Sequence, residues 1–361
     1  MKRLAAIGLM LAAGCSGRRD SRRAEAVPVE SLPIAQDTVV VPWPNIPEAA
    51  WLGGRRWVVV GPDQDAAMFL DFDLKKAEPV GGRNNPELAK PFAVFAIGDT
   101  AVIADWAKSR LTFWGRDGKL ANAVAAPAAT RGVLPRMRDA AGQYYFEVPP
   151  IAGPNGSGLR DSAAIVRSDA ALARFDTVAR LAPLDVAEIN ESRGKRYERL
   201  VFSGTDWWGV RPDGRIWIAR IRRNDVSVIE GNKERRGERL PDPVLEVSRQ
   251  DKEQYVNTFP EDLRSMAQKL QFAPFKPAFE RGFPGADGLV WLRKSKLLVD
   301  SVRRYHVVDT TGTLARVFSA FGPGVIVAAG RETVLLAEQF KGGLRLMELH
   351  LPKNPPSPAT H

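Results

Sequence analysis

A turn marked by glycine and followed at once by an apolar strand recurs along the 361-residue chain. The spacings between consecutive turn glycines are 44, 44, 72, 74 and 42 residues, so each long step is one period plus about 30 inserted residues. A period of about 40–50 residues built from short strands is typical of β-propeller blades. Chance spacing of glycines in an unrelated β-sandwich is the alternative. The six turn positions are Gly54, Gly98, Gly142, Gly214, Gly288 and Gly330.

The repeating unit is clearest in residues 93–126, where short apolar strands are separated by Gly98-Asp99 and Asp117-Gly118. Both residue types tolerate the positive φ of hairpin turns, so the segment predicts a four-stranded antiparallel meander. The stretch AVIADWAKSRLTFWGRDGKL (101–120) resembles a blade of the NHL-repeat type of six-bladed β-propeller. The resemblance is looser over 214–240 and 288–317. It implies an all-β, six-bladed propeller over most of residues 38–351 and implies no activity, because propellers host many functions.

An apolar strand near the start of the chain, Thr38–Trp43, belongs to no complete blade. The last repeat ends with its third strand, Leu344–Leu351, and therefore lacks a fourth. We therefore predict that Thr38–Trp43 supplies the outer strand of the last blade, because closing the ring removes exposed sheet edges. The predicted propeller occupies residues 37–351, and a proline-rich tail follows at 352–361.

The first fifteen residues, MKRLAAIGLMLAAGC, join a basic start to an apolar run too short to span a bilayer as a final anchor. The small residues before Cys15, the only cysteine, resemble a bacterial lipoprotein signal. The resemblance implies a signal peptide at 1–14, acylation of Cys15 and anchoring to a membrane of the cell envelope. The arginine-rich stretch 15–36 then predicts a disordered tether. An ordinary secretory signal with a stray thiol is the alternative.

Three long excursions interrupt the repeat, at 148–161, 182–205 and 241–281. In a propeller, the loops between second and third strands share one face with the connections between blades, so all three are expected on one face. Loops on a rigid scaffold often carry function, which makes this face the predicted binding surface. Neutral loop growth is the alternative. The third excursion predicts a small helical insertion, with a capping box at 248–251 and an apolar stripe that packs on the propeller: Leu263, Met266, Ala267 and Leu270.

Cations and aromatic rings near strand ends are the candidate binding groups. The formal net charge is +10, and basic loops around a channel mouth would attract anions. Exposed tryptophans would suit a glycan, although packing between blades is the alternative, and is the interpretation favoured for Trp57, Trp114, Trp217 and Trp291. Some of the charges are better explained as structural ion pairs. Asp105 and Arg110 are five residues apart across a loop, as are Arg220 and Asp225, and this spacing is typical of pairs that bridge two strands. The candidate ligand-binding residues are Trp106, Lys108, Arg160, Trp207, Trp208, Arg211, Arg222, Arg223 and Lys294.

Signals of catalysis are sparse, and no catalytic residue, cofactor or metal site is predicted. The three histidines are scattered, and His306 alternates with apolar residues as a half-buried structural histidine would. No His/Cys cluster has metal-ligand spacing, and no nucleophile elbow occurs. Asp71 and Asp73 alternate on one predicted strand and fit a solvated face better than a cation site. The predicted inner strands offer few polar groups, chiefly Asp139, Asp206 and Arg211.

The sequence therefore favours a lipid-anchored propeller outside the cytoplasm that binds an unidentified protein, or an anionic or glycan-like ligand, without catalysis. Nucleic acid is not an expected partner, because no binding motif occurs. A second hypothesis is a hydrolase, lactonase or lyase of the six-bladed type, which predicts three or more carboxylate, amide or imidazole groups converging on the channel axis. A third is a structural subunit of an envelope complex, which predicts an apolar patch on the helical insertion.

Overall fold

The computed structural model describes residues 27–35, 37–61, 65–82, 84–192, 194–231 and 233–353. The signal-like segment, Cys15 and the end of the proline-rich tail lie outside these ranges. Within them, no helix is long and apolar enough to cross a membrane.

Six antiparallel sheets follow one another along the chain as blades, which confirms the predicted six-bladed propeller. Two strands precede the blades, β1 (Val29–Ser31) and β2 (Asp37–Val41). Blade 1 contains β3 (Glu48–Gly53), β4 (Arg56–Gly61), β5 (Ala66–Asp71) and β6 (Lys76–Pro79). Blade 2 contains β7 (Pro91–Ile97), β8 (Thr100–Asp105), β9 (Arg110–Trp114) and β10 (Leu120–Ala125). Blade 3 contains β11 (Met137–Arg138), β12 (Tyr144–Val148), β13 (Ala164–Ser168) and β14 (Phe175–Arg180).

A hairpin of β15 (Val186–Glu191) and β16 (Gly194–Arg199) separates blades 3 and 4. Blade 4 contains β17 (Trp207–Val210), β18 (Ile216–Arg220), β19 (Asp225–Glu230) and β20 (Lys233–Arg235). Helices α1 (Arg249–Asn257) and α2 (Arg264–Ala267) precede blade 5, which contains β21 (Phe279–Pro284), β22 (Val290–Lys294), β23 (Val302–Val308) and β24 (Leu314–Phe321). Blade 6 contains β25 (Val325–Ala329), β26 (Thr333–Phe340) and β27 (Gly343–His350). Short 3₁₀ turns lie at Ala128–Thr130, Pro154–Arg160 and Glu261–Leu263.

The hydrophobic core consists of six apolar clusters, and each cluster lies between two neighbouring blades. The ring is therefore closed by side-chain packing all the way round. Trp57, Trp114, Trp217 and Trp291 are each at most 2% exposed within these clusters, which confirms the prediction that they pack between blades. Fully burying an aromatic side chain of this size contributes about 2–3 kcal/mol, so these rings are major determinants of blade spacing.

The first strands of successive blades line the axis, and β3 contacts both β7 and β25. Because the strands of each blade alternate in direction, the loops after second strands and after fourth strands emerge on one face. We call it the insertion face, since it carries 148–161, 182–205 and 241–281. The turns on the opposite face span only two to six residues.

Strand β2 closes the ring, as predicted from Thr38–Trp43, by pairing antiparallel with β27 from Asp37↔Glu348 to Val41↔Leu344. A charged network reinforces this junction. The Arg55 guanidinium donates to Asp37 Oδ2 at 2.5 Å and to Glu348 Oε2 at 2.6 Å. Trp57 Nε1 donates to Glu348 Oε1 at 2.9 Å, so one buried carboxylate ties blade 1 to blade 6.

The predicted tether needs correction, because part of it is folded. Strand β1 lies parallel to β24 as a fifth strand of blade 5, with Val29 opposite Val317. Arg316 holds Glu30 through two hydrogen bonds of 2.8 and 2.5 Å. The strand covers an edge whose backbone groups would otherwise lack partners. Sequence pattern missed it because three residues carry too little alternation to mark a strand.

The helical insertion is present, and its predicted capping box is confirmed by reciprocal bonds between Ser248 and Asp251. The predicted apolar stripe is wrong, however. Helix α2 has only four residues, too few to align a stripe. Ala267 is buried, but Leu263 and Met266 are 40% and 55% exposed.

Replacing Glu348 with alanine should destabilise the protein by about 3 kcal/mol, because Arg55 and Trp57 lose a buried shared acceptor. The control is Glu338→Ala on the neighbouring strand, where the carboxylate lies 3.6 Å from a half-exposed Arg345 and should contribute less than about 1 kcal/mol. Urea unfolding measures both. Equal losses in the two variants would contradict the proposed closure network.

Candidate functional site

The three insertions contact one another on the insertion face. The 3₁₀ turn of the first insertion packs on β16 of the second. The second and third are joined by a bridge between Val201 and Phe272, with hydrogen bonds of 2.8 Å from Val201 N to Gln271 O and 2.9 Å from Ala273 N to Val201 O. Tyr255 of α1 adds edge-to-face contacts with Phe202 and Phe272. The insertions therefore form one continuous layer.

Glycine makes the first of these contacts possible. Gly156 has φ +76°, and a Cβ at this position would lie 2.5 Å from the carbonyl oxygen of Tyr197. A side chain would be strained and would push the loop away from β16. The glycine-rich sequence of the first insertion is thus required for its docking on the hairpin.

A cleft opens where the insertions meet, with a volume of about 540 Å³. Its charged wall contains Arg160, Asp185 and Arg222, and its apolar wall contains Leu200 and Pro274. All three insertions and the loop between β18 and β19 contribute to it. The volume falls in the range of about 300–1,000 Å³ that is typical of small-molecule sites.

Two arginines of the predicted set, Arg160 and Arg222, are brought together in this insertion cleft. The Arg160 guanidinium lies 5.2 Å from the ring centroid of Tyr197 and donates to the Tyr197 hydroxyl at 3.4 Å. That hydroxyl donates to Glu188 Oε2 at 3.3 Å. A hydrogen bond from Lys195 is the main reason that the pKa of Glu188 lies below its usual value. Arg222 pairs with Asp185 across the cleft.

The two guanidinium groups differ in their freedom to bind a ligand. Arg222 is already paired, and it also donates to Pro183 O at 3.3 Å. Arg160 is exposed and makes no ion pair with any side chain in the described ranges. Arg160 is therefore the available cation of the cleft, held in place by stacking on Tyr197 rather than by a carboxylate.

The remaining predicted residues are scattered. Trp106 and Lys108 lie on the insertion face in the loop between β8 and β9, and Trp106 is 73% exposed. Trp207 lies at the start of the inner strand β17, whereas Trp208 is buried and donates from Nε1 to Glu147 at 2.7 Å. Arg223 pairs with Asp225 and Glu234.

Arg211 lies in the turn between β17 and β18, on the opposite face, and is therefore outside the insertion face. It is buried and donates to the carbonyl oxygens of Thr310 and Asp309 at 3.0 and 3.2 Å, which joins blades 4 and 5. The buried carboxylates predicted near the channel are also structural. Asp139 accepts from the Tyr145 hydroxyl, and Asp206 from Arg220 and two backbone amides.

The predicted ion pairs within two loops are wrong in their partners. Asp105 faces Arg110 in the strand register but accepts from three backbone amides, and Arg110 pairs with Glu87 instead. Arg220 faces Asp225 but pairs with Asp206 and Glu234. These charges are structural, as expected. Arg110 and Asp105 connect strands to a preceding loop, and Arg220 connects β18 both to Asp206, which precedes β17, and to Glu234 of β20. The spacing in the sequence correctly predicted which residues face each other on neighbouring strands. It could not identify acceptors that lie further away in the chain.

A buried polar cluster lies beneath the insertion face between blades 4 and 5. Lys294 Nζ is 2.6 Å from Asp242 Oδ2 and donates to Asn224 Oδ1 at 3.1 Å. His306 Nε2 is 3.5 Å from Asp242 Oδ1. Lys294 is only 4% exposed, so its predicted role as a ligand-binding cation at the surface is wrong. The four residues come from separate segments, so no spacing in the sequence could have grouped them.

Burial dominates the titration of this cluster. It lowers the pKa of Lys294, an effect that Asp242 opposes. Burial also lowers the pKa of His306 to about 4. The negative charge of Asp242 opposes this shift, and the positive charges of Lys294 and Arg304 lower the pKa further. His306 is therefore neutral in the folded protein at pH 7. In the described ranges, no three His, Cys, Asp or Glu side chains are grouped so that they could hold a metal ion.

His306 should make the protein acid-sensitive. Between its ordinary pKa of about 6.5 and its folded pKa of about 4, the unfolded chain binds a proton that the folded protein does not. Stability should therefore fall as the pH falls through this window, by about 3 kcal/mol in all from this group. The difference in unfolding free energy between wild type and His306→Gln, measured from pH 7 to pH 4, isolates the effect. The exposed His350→Gln variant is the control; a pH-independent difference for His306→Gln would contradict the account.

Comparisons with known proteins find distant structural likenesses and no family. No family model matches the chain, and no curated protein sequence does. A DUF4221-family protein from Bacteroides vulgatus is 9% identical, with a TM-score of 0.49 over 88% of this chain and 96% of that chain. A gluconolactonase from Xanthomonas campestris is 11% identical, with a TM-score of 0.42 over 91% and 99% of the two chains. Virginiamycin B lyase from Staphylococcus aureus is 11% identical, with a TM-score of 0.40 over 88% and 99%. These are distant likenesses, and the six-bladed architecture rests on the strand pairings of this chain itself.

Proposed function

We propose that this propeller is a non-catalytic binding module whose insertion face holds its ligand or partner. The observation that carries the proposal is the meeting of all three insertions around one cleft, while the opposite face has only short turns. Loops that meet on a rigid scaffold are a common way to build a recognition surface.

The chemistry of the cleft favours a ligand that is both anionic and partly apolar or glycan-like. Arg160 offers an unpaired guanidinium and Tyr197 a ring and a hydroxyl, and both lie on the cleft wall. Leu200 and Pro274 offer apolar surface in the same cleft. A carboxylate or sulfate on the ligand would bind Arg160, and the ring or chain that bears it would cover the apolar wall.

The insertion cleft can be tested with the full-length protein, attached to a support through its C-terminus. The support is screened against acidic oligosaccharides and against detergent-solubilised envelope proteins. Arg160→Ala should weaken capture of the ligand about tenfold or more, since a charge-assisted hydrogen bond contributes about 1.5–3 kcal/mol. Arg174→Ala is the matched control, because Arg174 is an exposed arginine of the opposite face. A ligand that binds wild type and Arg160→Ala equally well would overturn the assignment of the cleft.

We further propose that Cys15 anchors the protein to a membrane of the cell envelope. Support comes from the sequence around Cys15 and from β1, which holds the chain that follows Cys15 on the propeller from Val29 onward.

Replacing Cys15 with serine should abolish incorporation of a radiolabelled fatty acid and release the protein from the membrane fraction. The reason is that the acyl chains would be the only strong membrane attachment. Fractionation of cells expressing wild type and Cys15→Ser measures this. Unchanged membrane association of the serine variant would show that another contact anchors the protein.

A further inference from the structure

Three arginines share one side of blade 5 at its insertion-face end. Arg281 on β21 is the register partner of Arg293 on β22, and Arg293 is the register partner of Tyr305 on β23. Arg303 lies two residues before Tyr305 and so points to the same side of the sheet. We call Arg281, Arg293 and Arg303 the arginine triad.

Two carboxylates contact the triad. Glu280 Oε2 lies 3.1 Å from Arg293 Nε and 3.2 Å from Arg303 Nη1, so two guanidinium groups share one oxygen. Glu280 reaches this place because it is the extra residue of a β-bulge between Phe279 and Arg281. Arg281 pairs with Glu48, the first residue of β3 in blade 1.

The triad has more donors than these carboxylates can satisfy. The Nε–H groups of all three arginines are buried and have no hydrogen-bond partner in the described residues; the contact from Arg293 Nε to Glu280 lacks hydrogen-bond alignment. Arg316, by contrast, is held by two aligned bonds to Glu30 in the same blade. Three cations facing two carboxylates leave an excess positive charge, and buried N–H groups without acceptors are costly.

Electrostatics supports the same conclusion. Burial lowers the pKa of Arg293, and the carboxylate of Glu280 opposes this shift. The positive charges of Arg303 and Arg281 lower the pKa further. The three side chains are nevertheless accessible, with exposed fractions of 20% for Arg293, 15% for Arg303 and 18% for Arg281. An added anion would relieve the repulsion and supply acceptors.

Arg281, the innermost member of the triad, lies near the insertion-face end of the inner strand β21. The guanidinium of Arg281 lies 5.9 Å from the ring centroid of Trp207, which begins the inner strand of blade 4. Gly282 permits this close approach, because a Cβ there would lie 2.8 Å from Trp207 Cβ. Blades 1, 4 and 5 therefore meet at Arg281, through Glu48, Trp207 and the triad itself.

We propose that the arginine triad is an anion-binding site for the carboxylate or phosphate group of a ligand at the channel mouth. Guanidinium groups match the planar or tetrahedral arrangement of such oxygens and bind them through paired hydrogen bonds. This site involves none of the residues of the insertion cleft and does not depend on the function proposed for that cleft.

Calorimetric titration of the full-length protein with inorganic phosphate and, separately, with succinate tests the site and distinguishes the two ligand chemistries. Ionic strength is held constant with chloride. One equivalent of at least one of the two anions should bind in preference to chloride. Arg293→Gln and Arg303→Gln should each weaken that binding about tenfold to a hundredfold, because each removes a charge-assisted contact. Arg167→Gln, which removes an arginine paired to Asp176 in blade 3, is the control and should bind normally.

A second variant and a second readout distinguish loss of the anion site from misfolding of the variant protein. Arg303→Lys keeps the positive charge beside Glu280 but loses the paired geometry, and it should still weaken binding severalfold. Modification by the arginine reagent phenylglyoxal, mapped by mass spectrometry, should be slowed by the bound anion at the triad and not at the exposed Arg174 of the opposite face. No saturable binding of either anion, or equal affinity in wild type and both glutamine variants, would overturn the proposal.

Discussion

The junction between the two ends of the folded chain is the interaction on which the rest of the structure depends. A propeller blade is stable only when neighbours cover both of its faces, so an open ring would leave two apolar faces in water. Here β2 completes the sheet of β27, and Glu348 holds Arg55 and Trp57 of blade 1 from within blade 6. The buried carboxylate of Glu348 therefore adds side-chain bonds to the backbone hydrogen bonds that hold the ring closed. The same pattern recurs in blade 5, where Arg316 and Glu30 hold an additional edge strand in place.

Closure of the ring also determines where function can reside. Because strand direction alternates in each blade, the loops after second and fourth strands lie at one end of the ring. All three long insertions are loops of these kinds, whereas the other end has only short turns. The insertion face thereby carries a cleft whose Arg160 makes no ion pair within the described residues. In blade 5 it carries a cluster of arginines whose buried Nε–H groups find no acceptor in the same part of the chain. Buried charges elsewhere in the ring, such as Arg211 and Asp206, have their partners in neighbouring loops and serve the architecture.

Sequence pattern could predict the elements whose signal is local or repeated. Glycine turns, apolar strands and the Ser248–Asp251 capping box identified the blades, the closing strand and α1. Pattern failed where the partner lies far away in the chain. Arg110 was assigned to the residue opposite it, whereas its partner is Glu87 in a preceding loop. Lys294 looked like a surface cation, because nothing in its neighbourhood in the sequence shows that Asp242 buries it. The arginine triad was missed for the same reason, since its members lie on three strands and only the sheet register brings them together.

We propose that the insertion face, and not the opposite face, meets the ligand or partner. Hydrogen–deuterium exchange of the full-length protein, with and without a partner captured from the envelope, tests it directly. We predict slower exchange over the segments 154–160, 183–188, 197–200 and 273–274, which contain cleft-lining residues from all three insertions. Protection confined to the short turns, such as 54–55 and 211–215, would contradict it, because those residues lie at the other end of the ring.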